Sequence, residues 1–264
     1  MSSGVNKTLS DFKKKLRHSR YFSACYPFLK KPDKKFVIYT RGRTGSTVLT
    51  DLLNSHPDMF CDHEIFNISD TITKVKYPLL YISSCSKRAS AHNKNVYGFK
   101  LKIEQMKNEH EYKDIDVVLS RLETAGWKFI YLKRINILNH TISGLLSNQS
   151  KVFHLKNGKE FKHEKINIDC KHLFDVMNYF EDLERQEEES LKYVSYMTVN
   201  YEPDLLDNSA HQKTADRIFE YLGISSHPVN TTFRKIIPEN LKDIILNYEE
   251  MYDFVINTRF GKFL

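Results

Sequence analysis

At 264 residues, with 41% hydrophobic and 28% charged residues, the chain has the composition of a soluble globular protein and the length of one full α/β domain. No stretch approaches the ~20 apolar residues of a membrane span and the N-terminus lacks the apolar core of a secretory leader, so a cytoplasmic protein is expected. The net charge of +7 admits nucleic acid, a membrane surface or a small anion, while the scattered Cys25, Cys61, Cys85 and Cys170 exclude a zinc ribbon or disulfide framework and read as free thiols.

Residues 1–34 form a basic arm, a polar tail followed by an amphipathic helix that ends near Pro27 or Pro32. Much of the positive excess lies there, in Lys13-Lys14-Lys15-Leu16-Arg17 and Lys30-Lys31. Charged runs usually face water, so a solvated helix is preferred and no nucleic-acid partner is expected; peripheral membrane contact through this arm stays open. Residues 35–264 read as one domain.

Lys35–Thr40 is the first strand, apolar enough to be buried on both faces of a parallel sheet. It runs into Arg41-Gly42-Arg43-Thr44-Gly45-Ser46-Thr47 and then the helical Val48–Leu53. Unpaired N–H groups and a helix dipole converge at such a junction, which makes it an anion site. Beyond the turn-rich Asn54–Phe60, Cys61–Phe66 reads as a connection that can bring His63 and Glu64 back to the loop, and a carboxylate there can act as a base. Residues 68–92 look helical but irregular, with Pro78 interrupting, and suggest no function.

Val96–Leu101 is a second central strand, whose Lys100 faces either a ligand or solvent, and Asp114–Ala125 is helical. Trp127–Leu132 is a third strand leading to Lys133 and Arg134, so two strands deliver arginines to one sheet edge. The helix from Ile137 to Leu146 carries Ser143, which with Arg134 can clamp one phosphate from two sides. Asn157-Gly158 marks a hairpin inserted over residues 151–168, a candidate acceptor-binding flap. A charged helix from Asp169 to Ser190, a strand from Tyr193 to Asn200, and helices over His211–Leu222 and Pro238–Asn257 complete the chain. Strands alternating with helices indicate a parallel α/β sheet.

A nucleotide-binding P-loop would place lysine after Gly45, whereas here the cation precedes it as Arg43, with Arg41 behind as an outer-shell charge. Arg43-Thr44-Gly45-Ser46-Thr47 resembles the 5′-phosphosulfate loop of sulfotransferases that use 3′-phosphoadenosine 5′-phosphosulfate, in the arginine form of the bacterial Nod-factor and trehalose enzymes. Leu132–Leu138 followed by Ile142-Ser143 is similar to that family's 3′-phosphate motif. Val199–Leu206 resembles its Tyr-Glu-Asp-Leu segment, Phe219–Gly223 the helix ending that follows, and Pro238–Glu250 its C-terminal helix.

The resemblance implies a single domain with a P-loop-like central parallel sheet and helices on both faces. It implies that Arg43 is the cation on the phosphosulfate, that Thr44, Gly45, Ser46 and Thr47 donate hydrogen bonds around it, and that Arg134 and Ser143 hold the 3′-phosphate. Tyr201 would lie near the adenosine, Lys235 on a basic loop closing over the donor, and Glu64 would be the base, with His63 its rival.

Sulfuryl transfer builds charge on a leaving phosphate and requires a proton acceptor for the attacking hydroxyl, so these residue types suit it and no metal is demanded. The expected activity is sulfation of a hydroxyl, of a carbohydrate or glycolipid acceptor. A nucleotide kinase or NTPase and a non-catalytic nucleotide-binding protein are the alternatives, the former weakened by the missing lysine. Bland roles remain beside these: a surface or capping carboxylate for Glu64, a structural ion pair for Arg134, packing for Tyr201, and none assigned to His56, His140 and His154.

Overall fold

Phe36, Val37, Ile38 and Tyr39 are fully buried, as expected of a strand with another strand on each side and helices above and below. In the computed structural model, which describes residues 30–68, 74–150, 155–156, 165–234 and 240–264, these residues form β1 (Lys34–Thr40). The chain continues through α1 (Ser46–Asn54), β2 (Met59–Glu64), α2 (Pro78–Ser86), α3 (Arg88–Ala91) and β3 (Val96–Leu101). Next come a π-helical turn at Gln105–Glu109, α4 (Ile115–Thr124), β4 (Trp127–Lys133), α5 (Ile137–Ser150) and β5 (Leu155–Lys156). The last elements are α6 (Cys170–Leu191), β6 (Tyr196–Asn200), α7 (Tyr201–Asp204), α8 (His211–Leu222), β7 (Phe233–Arg234) and α9 (Tyr248–Ile256).

Five strands make one sheet in the order β2-β3-β1-β4-β6, and every pairing is parallel. Side chains alternate across it, so Val37 and Tyr39 enter a core with α2, α4 and α6, whereas Phe36 and Ile38 enter another with α1 and α8. A third apolar cluster joins α5, α6 and α9 beside the sheet. The protein is therefore an α/β structure with helices on both faces of a parallel sheet. Because β1 lies between β3 and β4, the loop after β1 emerges where the strand order reverses, the crevice in which open α/β sheets bind ligands.

Three expectations change, and the expected hairpin is described only in part. His63 and Glu64 lie on the edge strand β2, not on a connection; Met-Phe-Cys-Asp-His-Glu has no β-branched residue, so pairing with β3 rather than propensity makes it a strand. Pro78 opens α2 instead of interrupting a helix, at a position where its missing N–H costs nothing. Leu155–Lys156 pairs antiparallel with Phe233–Arg234, and the rest of the expected hairpin, 151–154 and 157–164, lies outside the described residues. The C-terminal helix starts at Tyr248, after a 3-10 turn at Leu241–Asp243 and an Ile166–Ile245 bridge, while Pro238 is outside the described residues. The basic arm up to residue 29 is also outside them. Among the described residues no helix is long and apolar enough to cross a membrane.

Gly98 of β3 sits opposite Phe36 of β1, and a Cβ there would come within 2.0 Å of the Phe36 ring. Both positions are buried, so Gly98→Ala is expected to destabilise the fold by about 1–3 kcal/mol through overpacking. Urea unfolding measures this, and an unchanged midpoint would contradict the packing.

Candidate anion-binding site

The turn after β1 is locked before any ligand is considered. Thr40 Oγ1 donates to the Leu132 carbonyl at 2.8 Å and lies 2.6 Å from Thr44 Oγ1, and Thr44 also reaches the Arg41 carbonyl at 3.1 Å. The Thr44 hydroxyl thus points inward, leaving its backbone as the part that can serve a ligand. Arg43 and Gly45 both adopt left-handed backbone, with φ of 65° and 83°. For Arg43 that conformation is costly, and such strain is sustained only when surrounding bonds enforce it. Gly45 is the N-cap of α1 and no side chain caps that end. The N–H groups of its first residues, beginning with Ser46 and Thr47, are therefore available to an anion.

The two arginines flanking Gly42 have opposite fates. Arg41 is fully buried. Its Nε donates to Glu187 Oε2 at 3.0 Å, its NH1 to the Phe180 carbonyl at 2.7 Å, and its NH2 stands 2.7 Å from Glu187 and 3.4 Å from Glu184. Burial works against its charge, but Glu187, then Tyr131 and Glu184, outweigh this and raise its pKa above the ordinary value. Arg41 is a tie between β1 and α6.

Arg43 instead turns toward α5, where its Nε donates to Ser143 Oγ at 3.2 Å. Arg134, at the end of β4 and 6% exposed, donates from NH1 to the Arg43 carbonyl at 3.4 Å and lies 4.6 Å above the centre of the Tyr201 ring. The same ring packs on Gly45, where a Cβ would meet it at 2.5 Å. Glu202 stands 3.4 Å from Arg134 Nε and accepts from the Ile135 and Asn136 N–H groups at 2.8 and 3.2 Å. Burial lowers the pKa of both Arg43 and Arg134, and for Arg43 the charge of Arg134 lowers it further. Arginine stays charged regardless, so the site keeps two positive charges close together.

Glu64, at the end of β2, is linked to the loop through Lys102. A register shift between Asp62 and Glu64 places a bulge at His63, and bulges re-aim side chains at strand ends. Glu64 Oε1 pairs with Lys102 at 2.9 Å and Lys100 at 3.8 Å, and Oε2 accepts from Gln105 at 2.9 Å. Burial pushes the Glu64 carboxyl up, but Lys102, with Lys100 and the Gln105 amide, more than offsets this and holds it below its ordinary value. Lys100, left open between ligand and solvent, is 3% exposed and its pKa is lowered by burial. Lys102 Nζ also approaches Gly42, 3.8 Å from where a Cβ would stand. Neighbouring Glu104 has a buried Oε2 with no partner among the described residues, and burial raises its carboxyl. Partial burial of the His63 ring, then the charge of Lys100, lower its pKa, which favours the neutral form at neutral pH.

Arg43, Thr44, Gly45, Ser46, Thr47, Arg134, Ser143 and Tyr201 thus converge at one sheet edge, and Lys102 links Glu64 to the loop. Lys235 lies outside the described residues. Lys102, Glu202 and His140 belong to the site and were not assigned to it by sequence. Glu202 directly follows Tyr201, and Lys102 repeats the cation of Lys100 at strand spacing, so both had a faint signal; His140 had none. The sequence matches no protein-family model, and a search of curated proteins finds no significant match.

Removing one partner of a buried ion pair leaves an uncompensated charge, so Arg41→Met is expected to cost about 3–5 kcal/mol of stability. The double variant Arg41→Met/Glu187→Met should recover most of the loss in denaturant titrations, and equal losses in both would contradict the pairing.

Proposed function

We propose that the protein binds 3′-phosphoadenosine 5′-phosphosulfate and transfers its sulfuryl group to a hydroxyl of a carbohydrate or glycolipid. The carrying observation is the junction of two motifs: Arg43 meets Ser143, 100 residues on, and Arg134 meets the Arg43 carbonyl, 91 residues back. One cationic centre suits any anion, whereas two centres flanking an aromatic ring suit a ligand with two phosphates and a base. Fit to that donor is further supported at Gly45, where any side chain would strike Tyr201 and close the cradle. In this reading β1, the loop and α1 form a P-loop-like unit, and residues 35–264 act as one domain.

The donor supplies an activated sulfuryl group on a phosphate able to leave. Arg43 and the N–H groups of Thr44 to Thr47 stabilise negative charge on the 5′ side. Arg134 and Ser143 hold the 3′ side, with Glu202 orienting Arg134. Glu64 is ionised at neutral pH and is assigned to take the acceptor's hydroxyl proton, while Lys102 and Gln105 fix its carboxylate. Neutral His63 on the same strand end is the rival acceptor of that proton. A phosphoryl-transfer or purely nucleotide-binding role is the second reading, favoured by Lys102, which gives the loop a lysine from β3.

Thermal shift with adenosine 3′,5′-bisphosphate, ATP, GTP and 5′-AMP tests the choice, because a ligand at 100 times its Kd stabilises the native state by about 2.7 kcal/mol. The bisphosphate should give the largest shift. Glu64→Gln should keep that shift while lowering sulfation turnover about 10²–10⁴-fold. A response to ATP without one to the bisphosphate contradicts the reading.

A further inference from the structure

His140 is a fully buried histidine on α5 with no part in the chemistry above. Its ring stacks on Phe180, centroids 4.1 Å apart and planes 8° from parallel, and its Nε2 lies 2.6 Å from the Gly42 carbonyl. A carbonyl oxygen only accepts, so Nε2 carries the proton and donates. The ring's Nδ1 is buried with no partner among the described residues. Burial, then Arg134 at the end of β4 and Arg41 and Arg43 in the loop, lower the His140 pKa far below the ordinary value, against the pull of the Gly42 carbonyl. The imidazole is therefore neutral and held in one tautomer.

We propose that His140 is a positioning residue for the anion loop, its Nε2–H fixing the Gly42–Arg43 peptide so that the loop's N–H groups are set for the ligand. In a trans peptide the C=O and N–H point in opposite directions, so anchoring the Gly42 carbonyl on α5 turns the Arg43 N–H away from that helix. Arg43 is the left-handed, strained residue of the loop. The carbonyl before it is held by His140 and its own carbonyl by Arg134. Both peptides around the strained residue are thus pinned from outside the loop. His140 and Ser143 are three residues apart on one helix and so share a face. That face holds the loop backbone through His140 and the Arg43 side chain through Ser143. Phe180 supports the bracket twice, stacking its ring on His140 and accepting from Arg41 through its carbonyl.

The proposal rests on reading the loop as an anion site, and its test separates the two. His140→Phe keeps a flat ring on Phe180 and removes the donor, whereas His140→Gln places an amide N–H near the position of Nε2. Calorimetric titration with adenosine 3′,5′-bisphosphate and with pyrophosphate is expected to show affinity falling roughly tenfold in His140→Phe, the loss of about one hydrogen bond, and returning to within about threefold of the parent in His140→Gln. Equal losses in the two variants, or none in His140→Phe, overturn the positioning role. If the parent binds pyrophosphate but not the bisphosphate, the donor assignment falls and the comparison is read on pyrophosphate; binding of neither overturns both. Nitrogen-15 spectra of the parent give a readout that does not depend on a variant folding. A neutral ring protonated at Nε2 at neutral pH is expected, and a charged ring or an Nδ1–H tautomer refutes the proposal.

Discussion

At one sheet edge the charge of Arg134 disfavours that of Arg43, and much of the surrounding structure holds the two arginines there. Like charges in a partly desolvated site repel far more than in water. Glu202 stands 3.4 Å from Arg134 and divides its carboxylate between that guanidinium and the Ile135 and Asn136 N–H groups. The α1 N-terminus, uncapped by any side chain, adds positive potential on the other side.

The rigidity that sustains this repulsion comes from three directions. Arg41 ties the strand end to α6 through Glu187 and the Phe180 carbonyl. Thr40 ties it to β4 through the Leu132 carbonyl, and His140 ties the loop backbone to α5. Arginines two residues apart thereby take opposite roles. Arg41 is spent on structure; Arg43 turns to Ser143 on α5. Preorganised charge of this kind does not have to rearrange when a ligand arrives, which is why it suits catalysis as well as binding.

Much of this was legible in the sequence because it depends on local pattern. The apolar runs of β1, β3 and β4, the glycine-and-hydroxyl loop, and the α8 ending at left-handed Gly223 are all marked by residues adjacent in sequence. What was hidden depends on pairing across the chain. The β2 sequence does not announce a strand until β3 is beside it, and Leu155–Lys156 finds Phe233–Arg234, which no turn signal could reveal. The helix expected from Pro238 begins only at Tyr248, because the preceding segment instead bridges to Ile166. Lys102 reaches the loop from just beyond β3 and His140 from α5; the spacing from Lys100 marks the first only faintly, and nothing in its own surroundings marks the second. Glu64 was expected on a connection folding back toward the loop, whereas it lies at a bulged strand end.

The account stands on two anion centres serving one ligand, and a calorimetric cycle isolates that claim. Adenosine 3′,5′-bisphosphate and 5′-AMP differ only in the 3′-phosphate, and a hydrogen bond to a charged group contributes about 1.5–3 kcal/mol. The parent protein should therefore prefer the bisphosphate by roughly 10- to 100-fold, and Arg134→Ala should erase most of that preference while retaining weak 5′-AMP binding. Equal affinity of the parent for both nucleotides, or a preference that survives the loss of Arg134, would contradict the account.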